Sequence, residues 1–223
     1  MVHVRYIFDV FAEKYDKWYE KPFGKSAFKL EKVCIESLCK DLKPPLLEVG
    51  VGTGRFASAL NINYGVDLSS GVLFFAKKRG IEAVKGAGEK LPFRDKVFGG
   101  VFLIVTLCFV DDPLRVLEES ARVLVDDGSI ILGLILKESP WAHFYEEKAI
   151  KGSIFYKIAR FYSFKEIKAM LRAVKLKIVE VNSTIFEAPA ESPLRFQPPK
   201  KGYHKEAGFT ALKVKKASRR NHL

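Results

Sequence analysis

Near the N-terminus, apolar side chains return at helical intervals. Phe8, Phe11, Tyr15 and Trp18 recur at i, i+3 and i+4 spacing, and Phe28–Leu42 carries a second amphipathic pattern. Residues 1–43 are therefore predicted to be largely helical, with Pro44-Pro45 ending the run. Beyond it the rhythm changes. Short apolar runs at Leu46–Val49, Tyr64–Leu68, Glu82–Val84, Val101–Leu107 and Ser129–Leu136 read as strands. Helical patterns separate them. One runs from Arg55 to Leu60, one is capped by Ser69-Ser70 and runs through Arg79, and one is opened by Asp112-Pro113 and reaches Leu124. Gly99-Gly100 and the Asp126-Asp127-Gly128 step read as turns. This alternation predicts an α/β fold, with a parallel sheet covered by helices on both faces. The unbroken apolar run at 101–107 suits a strand buried on both sides.

After Leu136 the chain becomes aromatic and basic, with Trp141, Phe144, Tyr145, Phe155 and Tyr156, and reads as a helical insert. Ser163 starts another helix. Strands near Leu176–Ile185 and Phe209–Lys215 flank a Pro-rich connection and are expected to pair antiparallel at the sheet edge. One domain is expected: a helical cap (1–43), a core (46–136), an insert or lid (137–162), and a closing helix with two strands (163–223).

Composition narrows the class. The 223 residues are 48% hydrophobic and 29% charged, as a globular chain requires. No apolar run reaches the roughly 18–20 residues that span a bilayer, and the first residues lack a secretory pattern. A cytoplasmic protein without membrane contact is expected. Cys34, Cys39 and Cys108 are too scattered for disulfides or a metal knuckle and read as small core residues. The net charge is +12, with its densest cluster between Lys213 and Arg220. The remaining charges are interleaved, as on a solvated surface, and a Lys- and Glu-rich chain with two Met resembles thermophile composition.

The most chemically specific stretch is LLEVGVGTGRFA at 46–57. A strand delivers glycines at every second position to the start of a helix, so a ligand can lie on bare backbone. The spacing Gly50-x-Gly52-x-Gly54 is not the G-x-G-x-x-G of dinucleotide dehydrogenases, and the Lys-Ser/Thr pair of a P-loop is missing. Glu48 just before the turn would repel a pyrophosphate but not a cation. Asp67, ending the next strand, can accept both hydroxyls of a ribose. A cationic nucleoside without phosphate fits, and S-adenosylmethionine is such a molecule.

Four segments in register, LLEVGVGTGRFA, YGVDLSSGVL, KGAGEKLPFRDKVFGGVFLIVTLCFVDDP and LEESARVLVDDGSIIL, resemble the class I S-adenosylmethionine-dependent methyltransferases. Within these, the chain is most similar to the methyltransferase type 11 group shared with ubiquinone and menaquinone C-methyltransferases. The resemblance covers about residues 46–136, and the opening FAEKYDKWYE is similar to the group's N-terminal helix. It implies a Rossmann-like doubly wound sheet of seven strands, order 3-2-1-4-5-7-6, with strand seven antiparallel. It further implies that Glu48, Gly50, Gly52 and Gly54 frame the methionine half of the cofactor. Asp67 would take the ribose, Leu68 would pack near the adenine, and Thr106 would face the sulfonium. Where the group often carries an acid for the adenine amine, this chain has Ala87, so that contact is missing or made by backbone.

Methyl transfer from a sulfonium needs alignment and dryness more than acid–base chemistry. If a base is used, His143 and His204 are the candidates. Tyr15, Trp18, Phe109, Trp141 and Tyr145 are expected to wall an acceptor site. No metal is expected, since Asp111-Asp112 precedes a proline and reads as a helix cap. The expected acceptor is a small molecule. An RNA or protein acceptor using the basic surface, and a non-catalytic protein that binds S-adenosylmethionine or S-adenosylhomocysteine, are the alternatives.

Overall fold

The computed structural model describes residues 4–217. Three helices open the chain: α1 (Val4–Val10), α2 (Ala12–Trp18) and α3 (Pro22–Glu36). The core then alternates β1 (Leu46–Val49), α4 (Arg55–Ala59), β2 (Tyr64–Asp67), α5 (Ser70–Lys78), β3 (Glu82–Lys85), β4 (Phe98–Ile104), α6 (Pro113–Val123) and β5 (Leu124–Leu134). After α7 (Pro140–Ile150) and α8 (Phe164–Ala173), strands β6 (Leu176–Thr184), β7 (Lys200–Lys201) and β8 (Phe209–Lys216) complete the sheet. Ser69 caps α5 and Asp112 caps α6, as the sequence predicts, and at Ser163, the expected helix start, Ser163 with Glu166 forms a full capping box on α8.

The sheet order is β3-β2-β1-β4-β5-β8-β6-β7. The first five strands pair in parallel, and β8 runs antiparallel to both β5 and β6. This is the expected order with one addition, the two-residue β7 on the outer edge of β6. The core lies in two layers because side chains alternate across the sheet. In β4, Phe102 and Ile104 pack towards α3, α5 and α7, while Val101 and Leu103 pack towards α6 and α8.

Two glycine readings are corrected. Gly99-Gly100 is not a turn but part of β4, which begins and ends three residues earlier than the apolar run suggests. A Cβ on Gly99 would stand 2.0 Å from the Lys43 carbonyl oxygen, so these glycines admit the backbone entering β1. The Asp126-Asp127-Gly128 step lies inside β5, where pairing jumps from Phe98↔Leu124 to Gly100↔Ser129. The extra residues are absorbed as a bulge rather than a free turn. Part of the basic cluster at 213–220 is engaged within the fold. Lys213 is buried and paired with Asp41, and Lys216 donates to the Leu124 carbonyl at 2.8 Å, so both are engaged along β8, an inner strand of the sheet. Arg219 and Arg220 lie outside the described residues. All three cysteines are free, with Cys34 fully buried.

Candidate functional site

The β1–α4 turn is built on left-handed backbone. Gly50, Gly52 and Gly54 have φ of 72°, 52° and 77°, values that side chains with a Cβ rarely adopt. Gly50 and Gly54 are packed underneath, against Thr106 and Ala76. Gly52 is open: a Cβ there would meet nothing nearer than Tyr15 Cε1 at 3.7 Å. Its N–H donates to Asp67 Oδ2 at 2.9 Å, and Ser69 N–H donates to Asp67 Oδ1 at 2.9 Å. Asp67 thus joins the glycine turn to the start of α5, with further lone pairs left on each oxygen.

Glu48 lies beneath the turn and is 2% exposed. Gly54 offers no side chain to cap α4, and the Glu48 carboxylate takes a hydrogen bond from the Ala57 N–H instead. Its Oε2 is buried without a hydrogen-bond partner among the described residues. Burial first, and then the nearby Asp67, push the Glu48 carboxyl well above its ordinary pKa. Burial also raises Asp67, with Asp9 adding to it. Two crowded carboxylates favour a cation beside them and disfavour a phosphate. The orphaned Oε2, the open Gly52 and the spare lone pairs of Asp67 all suit the cofactor the sequence calls for.

A substitution follows directly. The Glu48 carboxyl titrates higher when folded than when unfolded. Its contribution is favourable below the unfolded pKa of about 4.3 and is lost as pH rises towards the folded value. Glu48→Gln is therefore expected to raise the melting temperature of the cofactor-free protein at neutral pH while weakening S-adenosylmethionine binding. Calorimetry and thermal melts on both proteins check this, and a lower melting temperature for the variant would contradict it.

The other predicted contacts are divided. Leu68 is 43% exposed at the end of β2, and Ala87 pairs with Lys90 in a tight hairpin; both border this end of the sheet. That hairpin leads into Leu91-Pro92-Phe93, which is anchored from α6. Glu119 accepts the Leu91 N–H at 2.8 Å, and Arg122 donates to the Leu91 and Phe93 carbonyls. Thr106 does not end the strand. It follows Val105, whose φ of 52° breaks β4, and its hydroxyl donates to the Val49 carbonyl at 3.0 Å. Its side chain holds the glycine turn from below.

Beside the turn lies a cavity of about 970 Å³. Tyr15, Trp18, Phe109 and Tyr145, named above as candidate acceptor walls, line it together with Phe8, Tyr19, Phe155 and Tyr156. The rings form two groups of contacting rings on its wall. Phe8 meets Tyr15 and Phe109 edge-on, the Tyr15 and Tyr19 hydroxyls lie 3.0 Å apart, and Tyr145 stacks on Tyr156 at 4.3 Å. Trp141 is not part of it. It stacks on Phe23 and donates its indole N–H to the Glu187 carbonyl, so it belongs to the core.

Neither histidine reaches the site. His143 is exposed on α7, and His204 rests against Phe186 and the Lys201 carbonyl. Three acids line the cavity among the described residues; Glu147 and Glu191 are ion-paired, and the third, Glu31 of α3, is absent from the sequence-based candidates. Its signal was an acid at a position flanked by Ala27 and Ile35 one helical turn away on either side, both buried. No group of three or more His, Cys, Asp or Glu is placed to hold a metal among the described residues. Asp112 accepts the Arg115 N–H and acts as a helix cap.

The chain's similarities agree with this site. Residues 47–132 match the family described as methyltransferase domain. An uncharacterized protein of Methanocaldococcus jannaschii is 40% identical over 212 residues, covering 94% of this chain and 98% of that protein. The demethylmenaquinone methyltransferase of Thermotoga maritima is 32% identical over 140 residues, covering 58% and 60% of the two chains. A crystal structure from Thermotoga maritima, described as an S-adenosylmethionine-dependent methyltransferase and possible histamine N-methyltransferase, superposes with a TM-score of 0.87. It is 34% identical, and the match covers 96% of this chain and all of that one. With the glycine turn, the sheet order and these relatives in agreement, the chain belongs to the S-adenosylmethionine-dependent methyltransferases, in the type 11 methyltransferase-domain group.

Proposed function

We propose that the enzyme transfers the methyl group of S-adenosylmethionine to a small-molecule acceptor held in the aromatic cavity. The observation that carries this reading is the cavity's place. Tyr15 stands beside the open Gly52 and also lines the cavity, so acceptor and cofactor sites would share this residue. A volume of about 970 Å³ falls in the size range of small-molecule sites, roughly 300–1,000 Å³. The two Thermotoga maritima proteins, a demethylmenaquinone methyltransferase and a possible histamine N-methyltransferase, carry names that point the same way. Two of the basic residues that raised the RNA alternative, Lys213 and Lys216, are engaged within the fold.

S-adenosylmethionine supplies an electrophilic methyl group on a positively charged sulfur. In this reading Glu48 and the glycine turn hold its methionine end, Asp67 takes the ribose, and Leu68 with the backbone near Ala87 borders the adenine. Tyr15, Trp18, Phe109 and Tyr145 exclude water and align the acceptor. Calorimetry with S-adenosylmethionine is expected to give saturable one-to-one binding. Radiolabelled cofactor incubated with cell extract should then place its label in the metabolite fraction. Label in RNA or protein would replace the small-molecule reading, binding without any labelled product would favour a non-catalytic role, and absence of binding would overturn the cofactor site.

A further inference from the structure

One of the acids lining the aromatic cavity, Glu31, has no ion-pair partner among the described residues. Glu31 projects from the apolar face of α3 and makes no hydrogen bond or ion pair among the described residues. It is partly buried and lines the cavity. The titratable groups near enough to feel its charge are Tyr15 of α2, Tyr19 just after it, Tyr145 of α7, Tyr156 of the turn that follows, and Cys34 of its own helix. None of these carries positive charge. Four lysines also line the cavity, Lys14, Lys21, Lys148 and Lys151; the last two are paired with Glu191 and Glu147, and none makes an ion pair with Glu31. An enclosed carboxylate without a partner is costly to keep, and aromatic faces attract cations. Both features are relieved by the same ligand chemistry.

Resting on the methyltransferase reading above, we infer that the acceptor is an amine whose nitrogen is bound by Glu31, and that Glu31 removes its proton before methyl transfer. The step balances simply. The acceptor enters as an ammonium, and one N–H proton passes to the Glu31 carboxylate. The freed nitrogen lone pair takes the methyl carbon, and the carbon–sulfur bond breaks with its electron pair staying on sulfur. A methylated ammonium and a neutral thioether result, and Glu31 releases its proton to solvent. Burial pushes the Glu31 carboxyl up to about 7, which suits a base that must accept and return a proton near neutrality.

The test compares phenethylamine with 2-phenylethanol, which have similar shape but differ in charge. Binding is measured by protein fluorescence with S-adenosylhomocysteine present, on the wild type, Glu31→Gln and Glu31→Asp. The wild type is expected to prefer the amine at least tenfold. Glu31→Gln should lose that preference, and Glu31→Asp should retain part of it, with S-adenosylhomocysteine affinity unchanged in all three. Methylation of the amine should rise with pH through about 7 in the wild type, and Glu31→Gln should lose that limb. Equal binding of amine and alcohol by the wild type, or an unchanged preference in Glu31→Gln, overturns the inference. Those results with S-adenosylhomocysteine still bound would leave the methyltransferase reading standing, whereas loss of S-adenosylhomocysteine binding by the wild type would sink that reading itself.

Discussion

Gly52→Ala is expected to fold and yet to lose S-adenosylmethionine binding by about 100-fold, a difference of about 2.7 kcal/mol. The reason is the asymmetry of the glycine turn. A methyl group on Gly52 meets no protein atom nearer than 3.7 Å, so nothing inside the chain has to move. The cost to the fold is the left-handed backbone alone, about 1–2 kcal/mol. The methyl group would instead occupy the space over bare backbone where the ligand must lie. Gly54→Ala provides the contrast. Its Cβ would stand 2.9 Å from Ala76 Cα, against the backbone of α5, and its φ is equally positive. Overpacking adds roughly 1–3 kcal/mol to the backbone strain, so this variant should lose stability first. Thermal melts paired with calorimetry separate the two. Wild-type affinity in Gly52→Ala would mean that the cofactor does not rest on this turn.

That contrast also marks what could be read from the chain itself. The strand, the glycine turn, the helix after it and Asp67 are separated by few residues, and their chemistry is local, so spacing alone placed them. Features that depend on distant partners were not legible. Gly99 reads as a turn until the backbone at Lys43 comes to lie against it. Trp141 reads as a pocket residue until Phe23 stacks on it from a helix more than a hundred residues away in sequence. The two histidines suggest a base only by residue type, and neither lines the cavity. Glu31 shows the opposite error. An acid inside an apolar stripe is a local signal, but an acid on a helix also suits a solvated face, and only the cavity distinguishes the two.

Asp16 is the other residue whose value appears only in three dimensions, and its removal should be the largest blow to the cavity. It is 8% exposed and stands at the meeting point of three helices. Its carboxylate accepts from Arg55 Nε and Nη2, each at 2.9 Å, and from Arg79 Nη2 at 2.9 Å. Arg55 opens α4, Arg79 closes α5, and Arg79 also donates to the Thr53 carbonyl within the glycine turn at 2.8 Å. Asp16 therefore fastens α2, with its Tyr15 wall, to the cofactor turn. Asp16→Asn keeps the shape but removes the charge that both guanidiniums face. Breaking such a buried pair costs about 3–5 kcal/mol, or a fall in melting temperature of about 10 °C for a chain of this size. Cofactor affinity should fall with it, because Tyr15 loses its support. The pH dependence has a definite sign. Burial opposes ionisation of Asp16, but hydrogen bonds from Arg55 and Arg79 outweigh it and hold its pKa down at about 2. The unfolded carboxyl titrates near 3.9, so the stabilisation is complete above about pH 5 and is lost as pH falls through 3.9 towards 2. Denaturant unfolding of both proteins between pH 7 and pH 2 should show their stabilities converging at the acid end. A constant difference across that range would mean that the aspartate charge plays no part, and that aromatic contacts alone hold α2 in place.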